Sequence, residues 1–197
     1  MMRLSLFASL PMLAALQLLQ GCAAIAVGGI AGAVVMSEDR RTVGTITEDT
    51  AIELKASSRL GQKLKEGVHI NATSYNRMLL LTGEVPDAAA REEAERIARG
   101  IEYVRGVYNE LTVSGVSSYT VRSNDSLITS KVKTRFLDSK KFNGIHVKVV
   151  TENSVVYLMG LVKREEANDA TEIARTTSGV QKVVRVFEFI DTELVTK

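Results

Sequence analysis

Two stretches decide the fold: "GVHINATSYNRMLLLTGEV" at 67–85 and "GIHVKVVTENSVVYLMGLV" at 144–162. Laid over one another, they pair Gly67 with Gly144, His69 with His146 and Gly83 with Gly160. The spacing of about 76 residues marks an internal repeat. Each stretch divides into two strand-like runs about a polar turn, at Asn76 in one and Asn153 in the other.

The match continues on both sides. Upstream, "DTAIELKASSRL" (49–60) lies over "DSLITSKVKTRF" (125–136), aligning Asp49 with Asp125, Ile52 with Ile128, Lys55 with Lys131 and Arg59 with Arg135. Ile52, Ala56 and Leu60 recur every four residues, as do Ile128, Val132 and Phe136, so each run is a helix with one apolar stripe. Asp49 and Asp125 are the expected N-caps, because a short side-chain oxygen can accept from an orphan N–H of the first turn. Downstream, "AERIARGIEYVRGV" (94–107) lies over "ATEIARTTSGVQKV" (170–183). A second helix is expected from near Asp87 and near Arg164, with Gly100 suited to a left-handed residue after the helix end. A last strand should place Val107, Leu111 and Val113 on one face, answered by Val183, Phe187 and Phe189. Each copy therefore reads αββαβ, an α+β two-layer sandwich of three strands and two helices around one core.

The first residues follow another logic. One positive charge, Arg3, precedes an apolar run from Leu4 to Leu19, then Gly21 and Cys22, the only cysteine of the chain. That is the order of an export signal, and a lone thiol in an exported chain points to pairing between molecules, a reactive thiol or modification. "Leu19-Gln20-Gly21-Cys22" resembles the lipobox of bacterial lipoproteins, although Gln20 departs from the small or aliphatic residue usual there. The resemblance implies diacylglycerol on the Cys22 sulfur, removal of residues 1–21 and an N-acyl chain on the new terminus. Ala23 in place of aspartate implies sorting to the outer membrane. The rival reading is an uncleaved membrane anchor, since no charge occurs between Arg3 and Glu38 and about 20 apolar residues span a bilayer.

Composition excludes several functions. With 25 basic and 23 acidic residues, the net charge of +2 attracts neither nucleic acid nor membrane globally. No tryptophan is present, and five tyrosines and five phenylalanines supply little for a base-stacking surface. No nucleophile elbow marks a catalytic serine, no further ligand stands at zinc spacing from His69 or His146, and the glycines at 28, 29, 32 and 44 follow no strand that would make a phosphate loop. The paired acids of "REE" at 91–93 and 164–166 suit helix dipoles. No catalytic residue, metal or further cofactor is expected.

The repeat resembles the BON domain, an αββαβ module of bacterial envelope proteins with a glycine in its second strand, here Gly83 and Gly160. "TVGT" at 42–45, "VYNE" at 107–110, "SND" at 123–125 and "YLMGLV" at 157–162 extend the likeness to nearly the whole chain, which is similar to the dual-BON outer-membrane lipoproteins. The implied organisation is a signal peptide at 1–21, a lipidated N-terminus and flexible tether at 22–46, BON domains at 47–115 and 124–191, a linker at 116–123 and a tail at 192–197. The implied function is non-enzymatic binding of anionic phospholipid, phosphatidylglycerol or cardiolipin, at the inner leaflet of the outer membrane, in support of membrane integrity and cell division. Envelope or division proteins are further implied partners, and nucleic acid is not.

The residues point to one surface for such binding. From Lys131 to Lys141 the first helix of the second unit carries Lys131, Lys133, Arg135, Lys140 and Lys141 against Asp138 alone. Leu127, Lys131, Thr134 and Lys141 fall beside the Ile128 stripe, and an apolar tip ringed by ammonium groups suits an anionic leaflet. The expected lipid-binding set is Leu127, Lys131, Lys133, Thr134, Leu137 and Lys141. The same lysines also read as a solvated helix face with Leu127 against the neighbouring unit. In that case the chain is a protein-interaction adaptor.

Overall fold

The computed structural model describes residues 39–64 and 66–190. Cys22, the export signal, most of the tether and the C-terminal tail lie outside the described residues.

Helix α1 (Val43–Lys63) is opened by Thr42, whose hydroxyl accepts from the Thr45 amide, and it buries Ile52, Ala56 and Leu60 along one side. An antiparallel hairpin follows, β1 (His69–Tyr75) and β2 (Met78–Val85). Asp87 caps α2 (Ala88–Arg99) by accepting from the Ala90 amide at 2.7 Å. The chain then returns parallel to β2 as β3 (Gly106–Asn109) and β4 (Thr112–Val113). The second unit repeats the plan with α3 (Tyr119–Ser139, capped by Ser118), β5 (Val147–Glu152), β6 (Val155–Val162), α4 (Arg164–Arg175) and β7 (Lys182–Phe189). β2 and β6 are the central strands of their sheets.

Strand alternation gives each sheet two occupied faces. Leu79, Leu81 and Val85 of β2 face α1 and α2 in one core, and Val156, Leu158 and Val162 of β6 face α3 and α4 in another. The opposite faces meet each other: Tyr75 and Leu80 of the first sheet pack with Tyr157, Met159 and Val186 of the second. Burying side chains such as Leu80 and Met159 is worth about 1.5–3 kcal/mol each. The result is a four-layer sandwich with helices outside and two sheets within.

Asp49 and Asp125 are not N-caps. Each helix begins six residues earlier, and each aspartate lies on the buried side of its helix beneath the hairpin turn. The turns hold two consecutive residues at positive φ, Asn76 (51°) with Arg77 (65°) and Asn153 (48°) with Ser154 (63°). Their amides point inward and need acceptors. Asp49 accepts from the amides of Asn76 and Arg77 at 2.8 and 2.7 Å, from Ser74 Oγ at 2.7 Å and from Arg41 at 2.9 Å. Asp125 accepts from the amides of Asn153 and Ser154 at 2.9 and 2.8 Å.

Smaller corrections follow from the same geometry. Gly100 ends α2 with φ of −85°, so its place needs no left-handed backbone. The last strand of the first unit is interrupted between β3 and β4, where Leu111 turns into the core while Val113 stays exposed. β7 is continuous, and Phe189 is exposed at its end. His146 lies in a 3-10 turn (Gly144–His146) ahead of β5 rather than in the strand.

Gly83 and Gly160 are required by the close approach of the neighbouring backbone. A Cβ on Gly83 would stand 1.9 Å from the His69 carbonyl oxygen, and one on Gly160 2.4 Å from that of His146. Gly83 also has φ of +116°, which L residues rarely adopt.

Candidate functional site

Helix α3 turns Ile128, Val132 and Phe136 into the core and presents a different chemistry outward. At about 100° per residue, Leu127, Ser130, Thr134 and Leu137 share the outer side, with Lys131 on one flank and Lys133 on the other. Leu127 is 60% exposed and Leu137 70%. Among the described residues no acceptor contacts Lys131, Lys133 or Lys140. A shallow cleft of ≈520 Å³ runs beside this face, bounded by Leu127, Lys131 and Thr134 on α3 and by Thr176–Ser178 after α4.

Two of the expected basic residues do other work. Lys141 lies beyond the helix, which ends where Lys140 takes φ of 51°, and its ammonium pairs with Asp169 at 3.0 Å. Arg135 donates to the Ile173 carbonyl and to Thr177 Oγ1, both at 2.8 Å, and so ties α3 to the end of α4. Its counterpart Arg59 does the same in the first unit, donating to the Gly100 carbonyl at 2.9 Å. The arginine shared by the repeats is structural. The structure thus brings Leu127, Lys131, Lys133, Thr134 and Leu137 together and leaves Lys141 aside.

The first unit lacks this face. The places matching Leu127, Lys133, Thr134 and Leu137 are held by Ala51, Ser57, Ser58 and Gly61. Lys55, matching Lys131, is neutralised by Glu102 at 2.9 Å and stands over the Tyr103 ring at 5.7 Å. An apolar strip between free cations belongs to α3 alone of the two matched helices.

A second polar cluster, at the seam between the sheets, carries no sequence spacing. Glu84 of β2 and Glu152 of β5 are 1% and 5% exposed, and His69 of β1 stands beside them. Strand alternation alone places Glu84 with Leu80 on the inner face, but which residues of the other unit meet it is settled only by packing. Burial raises the carboxyl of Glu152 above its ordinary value, partly offset by the Asn71 hydrogen bond and by His69. Burial also pushes the neighbouring Tyr157 phenol up to about 12.

No helix among the described residues is long and apolar enough to cross a membrane. The BON domain model matches residues 48–115 and again 124–191. The chain is 40% identical over 175 residues to the outer membrane lipoprotein DolP of Haemophilus influenzae, covering 88% of this chain and 91% of that one. It is 35% identical to a 21 kDa hemolysin of Actinobacillus pleuropneumoniae, over 77% and 79% of the two chains. It is 31% identical to osmotically-inducible protein Y of Escherichia coli, over 72% of each. Two αββαβ units, their strand glycines and these relatives lead to one conclusion: the chain belongs to the BON-domain family, among the dual-BON outer-membrane lipoproteins of the DolP type.

Proposed function

We propose that this lipoprotein is non-enzymatic and docks on anionic phospholipid of the inner leaflet through α3, in support of outer-membrane integrity and cell division. The observation that carries the reading is the difference between matched helices: Leu127 and Leu137 stand exposed between unpaired Lys131 and Lys133, where α1 has Ala51, Gly61, neutralised Lys55 and Ser57. Each cation near an anionic surface is worth about 1 kcal/mol, and the leucines add apolar area that can enter the headgroup boundary. Diacylglycerol and an N-acyl chain on Cys22 would hold the chain at the same leaflet. A weak second contact then gains from high effective concentration.

The test is vesicle co-sedimentation of the chain lacking residues 1–22. It should pellet with phosphatidylglycerol or cardiolipin vesicles and remain in solution with phosphatidylcholine. No pelleting with either anionic lipid would favour an envelope-protein adaptor, for which α1 offers exposed Val43 and Leu54.

A further inference from the structure

We propose that His69, Glu84 and Glu152 bind one divalent cation of the zinc class, bridging the two BON domains at their seam. One ligand atom from each of the three residues lies within 4.8 Å of the other two. One imidazole and two carboxylates form a donor set that suits zinc, and a water from the adjoining cavity can supply the fourth position.

Three observations converge on a cation. The first is charge. Among the described residues, Glu152 accepts hydrogen bonds from Asn71 Nδ2 at 2.8 Å and Thr82 Oγ1 at 3.2 Å, and Glu84 from Asn153 Nδ2 and the Ser117 amide, all neutral donors. Among the described residues no lysine or arginine reaches either carboxylate, so a cation held between them supplies the positive partner that buried carboxylates call for.

The second is spacing. His69 Nε2 lies 3.3 Å from Asn71 Nδ2. The same Nε2 faces Glu152 Oε1 at 3.7 Å. A zinc ion about 2 Å from each atom fits between an imidazole nitrogen and a carboxylate oxygen at that separation. The contacts from Asn71, Thr82 and Asn153 then serve as outer-shell bonds that fix the ligands.

The third is access. A cavity of ≈250 Å³ is bordered by His69, Asn71 and Glu152 and by Asp125 and Thr129 of α3. Arg122, on the same border, is drawn over the Tyr119 ring at 4.4 Å instead of pairing with Glu152. His69 and Glu84 come from the first domain and Glu152 from the second. A bound cation therefore links domains that are otherwise joined by packing, hydrogen bonds and ion pairs.

The full chain in detergent, stripped with a chelator, is titrated with zinc, and separately with cobalt as a visible probe. One zinc per chain should bind, with a cobalt absorption band that zinc abolishes and a thermal midpoint that rises with zinc. Asn71→Ala should weaken binding about 10–100-fold, as outer-shell changes do, and His69→Ala and Glu152→Gln should weaken it further. His146→Ala, in the matched place of the second repeat, should leave it unchanged. His69 is partly exposed and glutamine keeps the shape of Glu152, so these variants should fold. The wild-type cobalt spectrum does not depend on them. Absence of zinc binding by the unmodified chain, or equal binding by His69→Ala, overturns the site. A midpoint that climbs on acidification without responding to zinc assigns the compensating charge to a proton and overturns it equally.

Discussion

The guanidinium of Arg40 grips both carboxylate oxygens of Glu166, at 2.6 and 2.8 Å, and also donates to the Leu161 carbonyl at 2.7 Å. Arg40 precedes the first helix of the first domain, whereas Glu166 opens α4 of the second and accepts from the Lys163 amide at 2.8 Å. The chain entering the first domain is thereby fastened to the second.

Arg40→Ala should cost about 1–2 kcal/mol at neutral pH, more than an isolated exposed pair because the contact is bidentate and partly buried. The Arg40 hydrogen bond holds the Glu166 carboxyl below its ordinary 4.5. Its stabilisation is present above the unfolded value and is lost as pH falls through the lowered folded value. Urea unfolding of both chains at neutral pH and near pH 3 checks the sign. A gap that persists in acid would exclude this ion pair as its source.

The carboxylates beneath the hairpin turns should matter unequally. Asp49→Ala strands two turn amides and the Ser74 hydroxyl and removes the ion pair with Arg41, and should cost about 3–5 kcal/mol. Asp125→Ala strands two amides and should cost less. Denaturation midpoints of the two variants give the order, and a larger loss at Asp125 would contradict it.

Gly83→Ala should be more damaging than Gly160→Ala. The former meets a carbonyl at 1.9 Å and a forbidden φ, the latter a carbonyl at 2.4 Å with no φ penalty. Overpacking costs about 1–3 kcal/mol, so Gly160→Ala belongs in that range and Gly83→Ala above it. Calorimetry of both variants decides.

On anionic vesicles, Lys131→Glu with Lys133→Glu should remove most binding, and Leu127→Trp should strengthen it, since tryptophan favours the headgroup region. Lys141→Glu should do little because Asp169 already occupies that ammonium, and Lys55→Glu should do little for the same reason with Glu102. Added salt should weaken the wild-type contact. Equal losses from all four charge reversals would mean that no defined face binds.

The repeat made most of the architecture legible, because hairpin turns, helix stripes and strand glycines each recur with the same period. The helix starts were not legible. "VGTITE" and "YTVRSN" lack an apolar stripe, so the buried Asp49 and Asp125 imitated caps of shorter helices. Leu127, Lys131 and Lys133 were readable from helical spacing, whereas Lys141 was misplaced because nothing in the sequence marks Lys140 as a left-handed stop. Glu84 and Glu152 could not be paired at all, for their meeting depends on how two sheets dock.

That docking gives the molecule a front and a back. With both sheets turned inward, about 10 Å apart as stacked sheets are, the α3–α4 layer and the α1–α2 layer look in opposite directions. A leaflet covering one layer leaves the other wholly turned to the periplasm. A single molecule resting on lipid would thus keep the exposed Val43 and Leu54 of α1 on the side away from the membrane.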